Sequence, residues 1–405
     1  MKDPFPVAPP EALVSLVKPL ADALSLPTLA LHAHEVLFAF FLYTAICNVV
    51  SPVFSKTFFP QTYGKLNIRT RVSWDVHIVS FFQAVLISAL SLYVIWFDEE
   101  RKELRSRPRW ESRVREYDGA GGMVQSFALG YFLWDLIMCA CNVEIFGWGM
   151  LAHAISAFSV FALGYRPFIY FYAPVFLLYE LSSPFLNIHW FCDKLDLTGS
   201  IYQAVNGAFL TGTFFGCRII WGNISSIYVF YDIFSMIAKG KTDLVASDIG
   251  APTGYSTQDL LRIYNDEQGQ RLAFAGGGQQ IPLWLGLTYL ASNLTLNSLN
   301  IFWFGKMIET IRKRFDPPFG TRGIESDEVH DEPQEKIAAA AGKLSESTPP
   351  KPKGSVKAAR QKAEQAMNGP VESEEATQIQ RAVLADGSNS VEVTGIRTLR
   401  TRRKA

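Results

Sequence analysis

The stretch GMVQSFALGYFLWDLIMCACNVEIFGWGMLAHAISAFSVFALGY, residues 122–165, decides the fold. It contains two carboxylates, Asp135 and Glu144, and neither lysine nor arginine. A helix needs about 20 apolar residues, at about 1.5 Å of rise each, to cross a hydrocarbon core of about 30 Å. The stretch therefore predicts two consecutive membrane-spanning helices, at 122–143 and 146–165.

Five further segments have a similar length and a similar lack of charge. They lie at 30–52, 75–97, 167–190, 204–234 and 281–308. Over the whole chain, 49% of residues are hydrophobic and only 19% are charged, whereas an ordinary soluble domain carries about 25% charged residues. Core helices of a soluble protein are also apolar, but seven such segments with so few charges favour a membrane protein. We predict an all-α, multi-pass transmembrane helical bundle of about seven spans.

The charge lies mainly outside these spans and divides the chain into parts. Residues 1–29 are a polar, proline-containing segment without the pattern of a cleavable signal peptide. Residues 30–64 supply the first membrane anchor and its loop, and 65–312 form the main domain, with an inserted loop at 239–280. Residues 316–405, rich in Pro, Glu, Lys and Ser, are predicted to be a disordered tail. An odd number of spans separates the two ends, and we predict a lumenal N-terminus and a cytosolic C-terminus.

The inserted loop contains one signal for regular structure. Ser256 is followed three residues later by Asp259, and Leu260 and Leu261 come next. A hydroxyl and a carboxylate at this spacing cap the first turn of a helix. We therefore predict one short helix within the loop.

The overall charge and the cysteines argue against several kinds of partner. The 38 Lys and Arg residues balance 38 Asp and Glu residues, so the chain has no excess of positive charge for a nucleic-acid partner. Its five cysteines have no regular spacing, which argues against a disulfide framework or a zinc site. We expect no metal and no bound cofactor.

Ionisable side chains inside the spans are the default functional candidates, because placing them in hydrocarbon is costly. We single out Asp135, His153, Glu180 and Arg218 inside the spans, with Asp75, His77 and His189 nearer the span ends. At about 1.5 Å per residue, the first three lie at matching depths, near the middle of the membrane, on consecutive spans. An arginine at a comparable depth is expected to have a carboxylate partner.

Amides and an aromatic residue extend this group. Asn187 and Asn206 lie about equally far from the turn between the fifth and sixth spans, and Tyr131 lies one helical turn before Asp135. Polar stripes on several spans predict a hydrated or ligand-filled cavity between the helices, since lipid would penalise them. The structural alternatives are interhelical hydrogen bonding and a satisfied ion-pair network, neither of which involves chemistry.

Short motifs along these spans resemble the TLC domain family, named after the TRAM, LAG1 and CLN8 proteins. The resemblance covers about residues 65–312. A Glu-Leu-Ser-x-Pro-Phe-x-Asn element followed by a tryptophan points to the TLC-domain-containing branch. The motifs, in chain order, are Trp74-Asp75-Val76-His77 with Ser80, Tyr131-Phe132-Leu133-Trp134-Asp135, His153, Glu180 to Asn187 with Trp190, Asn206-Gly207, Phe214-Phe215 with Arg218, and Leu299 to Trp303.

The resemblance implies a multi-pass membrane protein, often of the endoplasmic reticulum, that acts on or responds to lipids. Ceramide synthases of this family use an adjacent His-His pair for N-acyl transfer, and the matching position here reads Ala152-His153. Because groups that act together in catalysis fail together, loss of one imidazole lowers the rate by orders of magnitude. His153 and Asp135 remain available as a base–carboxylate dyad, in which Asp135 fixes the imidazole tautomer.

Three functions are compatible with these residues. The first, which we favour, is a lipid-handling protein of membrane lipid homeostasis without full ceramide synthase activity, located in the endoplasmic reticulum or another endomembrane. The second is an N-acyltransferase for sphingoid bases, with acyl-CoA as co-substrate and with His153 and Asp135 as catalytic residues. The third is a scaffold or chaperone for membrane proteins that uses the inserted loop and the tail. Under the first hypothesis, the residues expected to bind a sphingolipid or an acyl chain are Tyr131, Asp135, His153, Glu180, Asn187, Asn206 and Arg218.

Overall fold

The structure, a computed structural model, describes residues 1–166, 168–240, 255–266, 270–274 and 282–319. Every regular element among them is helical, which confirms the all-α class. The longer helices, numbered in chain order, are α1 Glu11–Leu24, α2 Leu29–Phe58, α3 Ile68–Phe97, α4 Gly119–Cys141, α5 Val143–Leu163, α6 Ser183–Lys194, α7 Ile201–Phe214, α8 Gly222–Lys239, α9 Thr257–Asn265 and α10 Leu283–Phe319.

Short helical segments lie in the connections, and the described residues divide into two units. The short segments are Pro60–Tyr63, Glu99–Leu104, Arg107–Arg109, Trp110–Arg115 and Gln270–Ala273. Met1–Phe302 contains the described part of the first unit, and the second begins at Trp303, where the described residues continue α10. The site described below lies within the first unit.

Four of the predicted spans are confirmed as helices long and apolar enough to cross a membrane, namely α2, α3, α4 and α5. Polar side chains set where two of them begin. The side-chain oxygen of Asn67 accepts a hydrogen bond from the Thr70 amide at 2.8 Å and starts α3. Asp118 caps α4 in the same way. α5 is kinked at Gly147, whose φ of 79° suits glycine and strains other residues.

The fifth predicted span, 167–190, is wrong as a single helix. Pro174 and Pro184 each lie in the first turn of a separate helical piece. Because proline has no N–H to donate and its ring crowds the preceding turn, a straight helix does not continue through these positions. The successive pieces are the 3₁₀ turn Tyr170–Tyr172, the helix Ala173–Leu177, the 3₁₀ segment Leu178–Ser182 and then α6.

The last two predicted spans, 204–234 and 281–308, correspond to long helices. α7 continues through a π-helical turn, Phe215–Trp221, into α8, and α10 follows the inserted loop. Because α10 ends at Phe319, the helix extends past residue 316, where the predicted disorder began. The rest of that tail lies outside the described residues. The total of seven spans stays a prediction.

The described connections gather at two ends of the first unit. At one end, the amino group of Met1 lies 2.9 Å from the Glu100 carboxylate, and the Ile169 amide donates to the Val114 carbonyl at 2.8 Å. At the other end, the Trp74 ring meets the Trp190 ring with centroids 6.1 Å apart. Such alternation between two ends is what successive crossings of a membrane produce.

A buried ion pair fixes the connection between α3 and α4 to α8. Arg113 donates to both carboxylate oxygens of Asp232, at 2.7 and 2.8 Å, and the Tyr172 hydroxyl donates to Asp232 at 2.6 Å. Arg113 also donates to the Leu104 and Ser106 carbonyls, at 2.7 and 2.6 Å. Burial lowers the pKa of Arg113, but the hydrogen bond and the charge of Asp232 outweigh burial and leave this pKa raised. The guanidinium is therefore held in its charged form.

The N-terminal segment and the inserted loop pack on each other. α1 lies against α9, and Val14, Leu260 and Ile263 are buried in one apolar cluster there. The predicted capping box is confirmed. The Ser256 hydroxyl oxygen accepts from the Asp259 amide at 3.2 Å, and the Asp259 carboxylate accepts from the Ser256 amide at 2.9 Å.

Helices α2 and α4 approach closely because Gly130 has no side chain. A Cβ at Gly130 would lie 2.6 Å from the Cβ of Ala39 and 2.7 Å from the Val36 carbonyl oxygen. Small residues at a crossing point allow two membrane helices to pack backbone to backbone. This contact holds α4, and with it Asp135, against the first span.

Candidate functional site

Asp135 lies on α4 with its carboxylate buried. Its Oδ1 accepts a weak hydrogen bond from the Cys139 thiol, one turn further on, at 3.8 Å. Tyr131, one turn before, packs edge-on against Tyr43 of α2 with ring centroids 5.4 Å apart. A buried carboxylate with so weak a donor is costly, and a ligand that shares its charge or supplies a hydrogen bond lowers this cost.

His153 lies on α5, a helix that is open on most of its surface. Ala154 is the single buried residue within this fully described helix, and α5 packs mainly against α4. Near its C-terminal end, Phe158 and Phe161 contribute to an apolar cluster. His153, nearer the middle, is exposed. In the structure the bundle therefore does not enclose this imidazole.

The predicted dyad of His153 and Asp135 is not formed. Neither a hydrogen bond nor an ion pair joins the two side chains in the described structure, and Asp135 instead accepts from Cys139. The charges that act on His153 are those of Glu180 and Arg218. The physical reason is rotation about the helix axes, since Asp135 faces the interior of the bundle while His153 lies on the open surface of α5.

Glu180 connects the two predicted candidates. It lies in the 3₁₀ segment of the broken fifth span, is half-buried, and interacts electrostatically with both Asp135 and His153. The charge of Glu180 thus acts on both Asp135 and His153, and the charge of Arg218 acts on His153. We call these four residues the polar recess.

Arg218 has different partners from the carboxylate that we expected. Its Nε donates to the Tyr179 carbonyl at 3.0 Å and to the Ser182 hydroxyl at 3.1 Å, and its Nη1 donates to the Asn300 side chain at 3.3 Å. It forms no ion pair with a carboxylate of the described residues. Tyr179 and Ser182 both belong to the 3₁₀ segment of the fifth predicted span, so the guanidinium fastens this segment to the turn that carries Arg218.

The π-helical turn between α7 and α8 carries Arg218 to this position. Single π turns inside longer helices occur often at functional sites, because they shift a side chain away from the regular helical spacing. Arg218 is half-buried, and one of its four partners, Asn300, lies on α10. The turn therefore ties the broken span to the last helix.

Asn187 and Asn206 make interhelical and local hydrogen bonds, as the structural alternative predicted. The Asn187 carbonyl oxygen lies 2.7 Å from Nδ1 of His77, and its amide donates to the Ser80 hydroxyl at 3.1 Å. Asn206 donates to the Phe185 carbonyl at 2.8 Å. These contacts fix α6 against α3 and α7.

The Trp74–His77 motif acts in the same structural way. Asp75 accepts hydrogen bonds from the hydroxyls of Ser51, at 2.5 Å, and Tyr63, at 3.0 Å, while the Trp74 indole donates to Ser55 at 2.8 Å. Ser51 and Ser55 belong to the C-terminal part of α2. The motif therefore locks the start of α3 to the end of the first span.

Sequence reasoning missed a second group of buried ionisable residues. Asp3, His32 and Glu35 meet at the N-terminal end of α2, and none of them is among the candidates that the sequence singled out. Burial and the neighbouring Glu35 carboxyl raise the pKa of Asp3 to about 8. The spacing of His32 and Glu35, three residues apart on one helical face, was a visible signal. Asp3 gave no signal, because a distant segment brings it there.

The fold and the polar recess define a class of protein, namely a multi-pass helical membrane protein whose interior polar side chains come from several spans. The TLC domain family matches residues 73–309, which lie within the range of the motif resemblance. The chain belongs to the TLC domain family.

Relatives in other organisms support this assignment. An uncharacterised TLC domain-containing protein of Schizosaccharomyces pombe is 35% identical over 306 residues, covering 75% of this chain and 87% of that protein. Topoisomerase I damage affected protein 4 of Saccharomyces cerevisiae is 29% identical over 292 residues, covering 71% of this chain and 86% of that protein. Human TLC domain-containing protein 4 is 25% identical over 198 residues, covering 47% of this chain and 72% of that protein. The chain is thus similar to the TLC-domain-containing branch, as the motifs indicated.

Proposed function

We propose that this protein binds a membrane lipid or its acyl chain at the polar recess and thereby contributes to membrane lipid homeostasis. The observation that carries the proposal is the position of His153. It is exposed on a helix that packs mainly against α4, yet it lies within the electrostatic influence of Glu180 and Arg218. A lipid that enters from the side between α5 and the broken fifth span would meet these polar groups.

The charges of the recess favour one kind of lipid headgroup. Asp135 and Glu180 are carboxylates, and the Arg218 donors are directed at Tyr179, Ser182 and Asn300. Such a site repels a phosphate and suits an amine, amide or hydroxyl that can donate hydrogen bonds. A sphingoid base or a ceramide-like lipid has this chemistry.

The test is retention of a sphingoid base by the purified full-length protein, measured by native mass spectrometry after release from lipid nanodiscs. We expect one bound lipid per chain. Glu180→Gln should weaken retention about tenfold, because a hydrogen bond to a charged group contributes about 1.5–3 kcal/mol. Glu144→Gln is the matched control, since Glu144 is an exposed carboxylate in the first turn of α5. Equal retention by wild type, Glu180→Gln and His153→Ala would refute the proposal.

An acyl-CoA-dependent N-acyltransferase is the second candidate function. The observation in its favour is that His153 is accessible and has Glu180 as a charged neighbour, so Glu180 rather than Asp135 would stabilise the imidazolium. The test is turnover of a sphingoid base and acyl-CoA, with the amide product measured by mass spectrometry. We expect no product above background. Product that disappears with His153→Ala would establish catalysis and overturn the non-catalytic proposal.

We also propose a location in the endoplasmic reticulum or another endomembrane, with the N-terminus in the lumen and the C-terminus in the cytosol. Family membership and the membrane-spanning helices support this location. Glycosylation acceptor sites added at each terminus would test the orientation, since only lumenal sites are modified. Modification at the C-terminus alone would reverse the proposed orientation.

The scaffold hypothesis has less support, because the described part of the inserted loop packs its apolar face on α1.

A further inference from the structure

Three buried side chains converge at the end of α2, away from the polar recess. Asp3, His32 and Glu35 each direct one ligand atom into a space where all these atoms lie within 4.8 Å of one another. The exposed fractions of the side chains are 1% for Asp3 and 0% for His32 and Glu35. His32 and Glu35 lie on one helical face, and the N-terminal segment brings Asp3 to them.

The geometry points to a binding site for one divalent transition-metal ion, held by Asp3, His32 and Glu35. Nδ1 of His32 lies 3.6 Å from Oδ2 of Asp3. Ligand atoms around a tetrahedral Zn²⁺, at about 2.0–2.2 Å from the metal, are separated by about 3.4 Å. The imidazole and the Asp3 carboxylate are therefore already close to coordinating positions.

Two unpaired atoms support this assignment independently of the clustering. Oδ2 of Asp3 and Oε1 of Glu35 are buried, and when both carboxyls are ionised they accept no hydrogen bond from the described residues. A buried carboxylate oxygen without a donor is costly. A cation placed between these oxygens would satisfy both.

The second nitrogen of His32 has the partner that a metal ligand requires. Its Nε2 lies 2.5 Å from the Tyr117 hydroxyl. Nδ1 lies 2.9 Å from Oε2 of Glu35, a distance at which a proton on Nδ1 can be shared with that carboxylate. When Nε2–H instead donates to the Tyr117 oxygen, Nδ1 presents its lone pair to the two carboxylates, and a cation takes the place of that proton. A metal-binding histidine normally has such an outer partner, which fixes its tautomer. Three protein ligands leave a fourth position for water.

The bound ion would act as a clip between the N-terminal residues and the first span. Asp3 is the one ligand that does not belong to α2. Met1, in the same N-terminal segment, contacts Glu100 in the connection between α3 and α4. Loss of the metal should therefore loosen residues 1–10 while leaving α2 intact. This site uses oxygen and nitrogen ligands, which the cysteine spacing gave no means of detecting.

The test uses the purified full-length protein in nanodiscs, stripped with a chelator and equilibrated with Zn²⁺ or with Mn²⁺. Bound metal is measured by inductively coupled plasma mass spectrometry. We expect one ion per wild-type chain and less than a fifth of that in Asp3→Asn and in Glu35→Gln. Asp22→Asn is the matched control, because Asp22 is a carboxylate of the same N-terminal region that pairs with Lys18 at the surface.

Two further readouts keep the test decisive. Zn²⁺ should raise the thermal midpoint of wild type and of Asp22→Asn, and should slow hydrogen exchange in residues 1–10, with neither effect in Asp3→Asn. If a ligand variant fails to fold, the visible absorption of Co²⁺ bound to wild type decides whether a four-coordinate nitrogen–oxygen site exists. Folded wild type that binds neither Zn²⁺ nor Mn²⁺, or Asp3→Asn that binds as much as wild type, would overturn the assignment.

Discussion

Arg113→Met should strongly destabilise the helical bundle, because it leaves a buried carboxylate without its cation. Asp232 is fully buried and receives two hydrogen bonds from Arg113, at 2.7 and 2.8 Å. Removing one partner of such a pair costs about 3–5 kcal/mol. Two carbonyls that accept from Arg113 also lose their donor. We expect the loss in free energy of unfolding to lie at the upper end of that range.

The chain offers a matched control for this prediction. Lys239 and Glu111 form an ion pair at 2.8 Å between the same two parts of the molecule, but their side chains are 30% and 13% exposed. Lys239→Met should cost about 1 kcal/mol or less, because solvent screens an exposed pair. The assay is reversible denaturation in detergent micelles, followed by circular dichroism.

A double variant separates the ion pair from simple loss of packing. Arg113→Met combined with Asp232→Leu should be more stable than Arg113→Met alone, since no unpaired charge then remains buried. Equal destabilisation by Arg113→Met and Lys239→Met would refute the reasoning. A double variant less stable than either single variant would also contradict it.

Two further substitutions test the packing around the polar recess. Gly130→Ala should destabilise the bundle by about 1–3 kcal/mol, because its Cβ would lie 2.6 Å from the Cβ of Ala39. Gly212→Ala is the control, since nothing lies within 4 Å of a Cβ there, and equal thermal midpoints for the two variants would refute the claim. Arg218→Lys keeps the charge but loses the fork of donors to the broken span, so it should lower stability by about 1–3 kcal/mol. An unchanged thermal midpoint for Arg218→Lys would show that the guanidinium geometry is not required.

The sequence predicted the parts of the fold that depend on apolar runs and local caps. The runs that contain Asp135 and His153 are long and almost free of charge, so hydrocarbon thickness determines their helical spans. The capping box at Ser256 depends only on neighbouring residues and was also predictable. Interhelical hydrogen bonds of Asn187 followed from the low cost of pairing an amide inside a membrane.

The incorrect predictions concern features of the fold that the hydrophobicity of a segment does not determine. Pro174 and Pro184 were visible, but the fifth segment was assigned from its hydrophobicity, and the prolines divided it into short pieces. Arg218 donates to the Tyr179 carbonyl and the Ser182 hydroxyl of one such piece and not to a carboxylate of the described residues.

Depth along a span is predictable from residue counting, whereas rotation about the helix axis is set by packing. His153 and Asp135 therefore share a region without sharing a hydrogen bond. The contact between Asp3 and His32 could not be predicted from the local sequence, for a related reason. It depends on how a distant segment folds back onto the first span, and no spacing rule describes that contact.

The measurement that tests the lipid proposal most directly is photocrosslinking of a sphingoid base that carries a photoreactive group in its long alkyl chain. The full-length protein in nanodiscs would be irradiated, digested and mapped by mass spectrometry. The proposal predicts adducts concentrated in α5 around His153 and in the segment from Glu180 to Asn187, reduced by Glu180→Gln and unchanged by Glu144→Gln. Adducts distributed evenly over all lipid-exposed helices, with no response to Glu180→Gln, would contradict it.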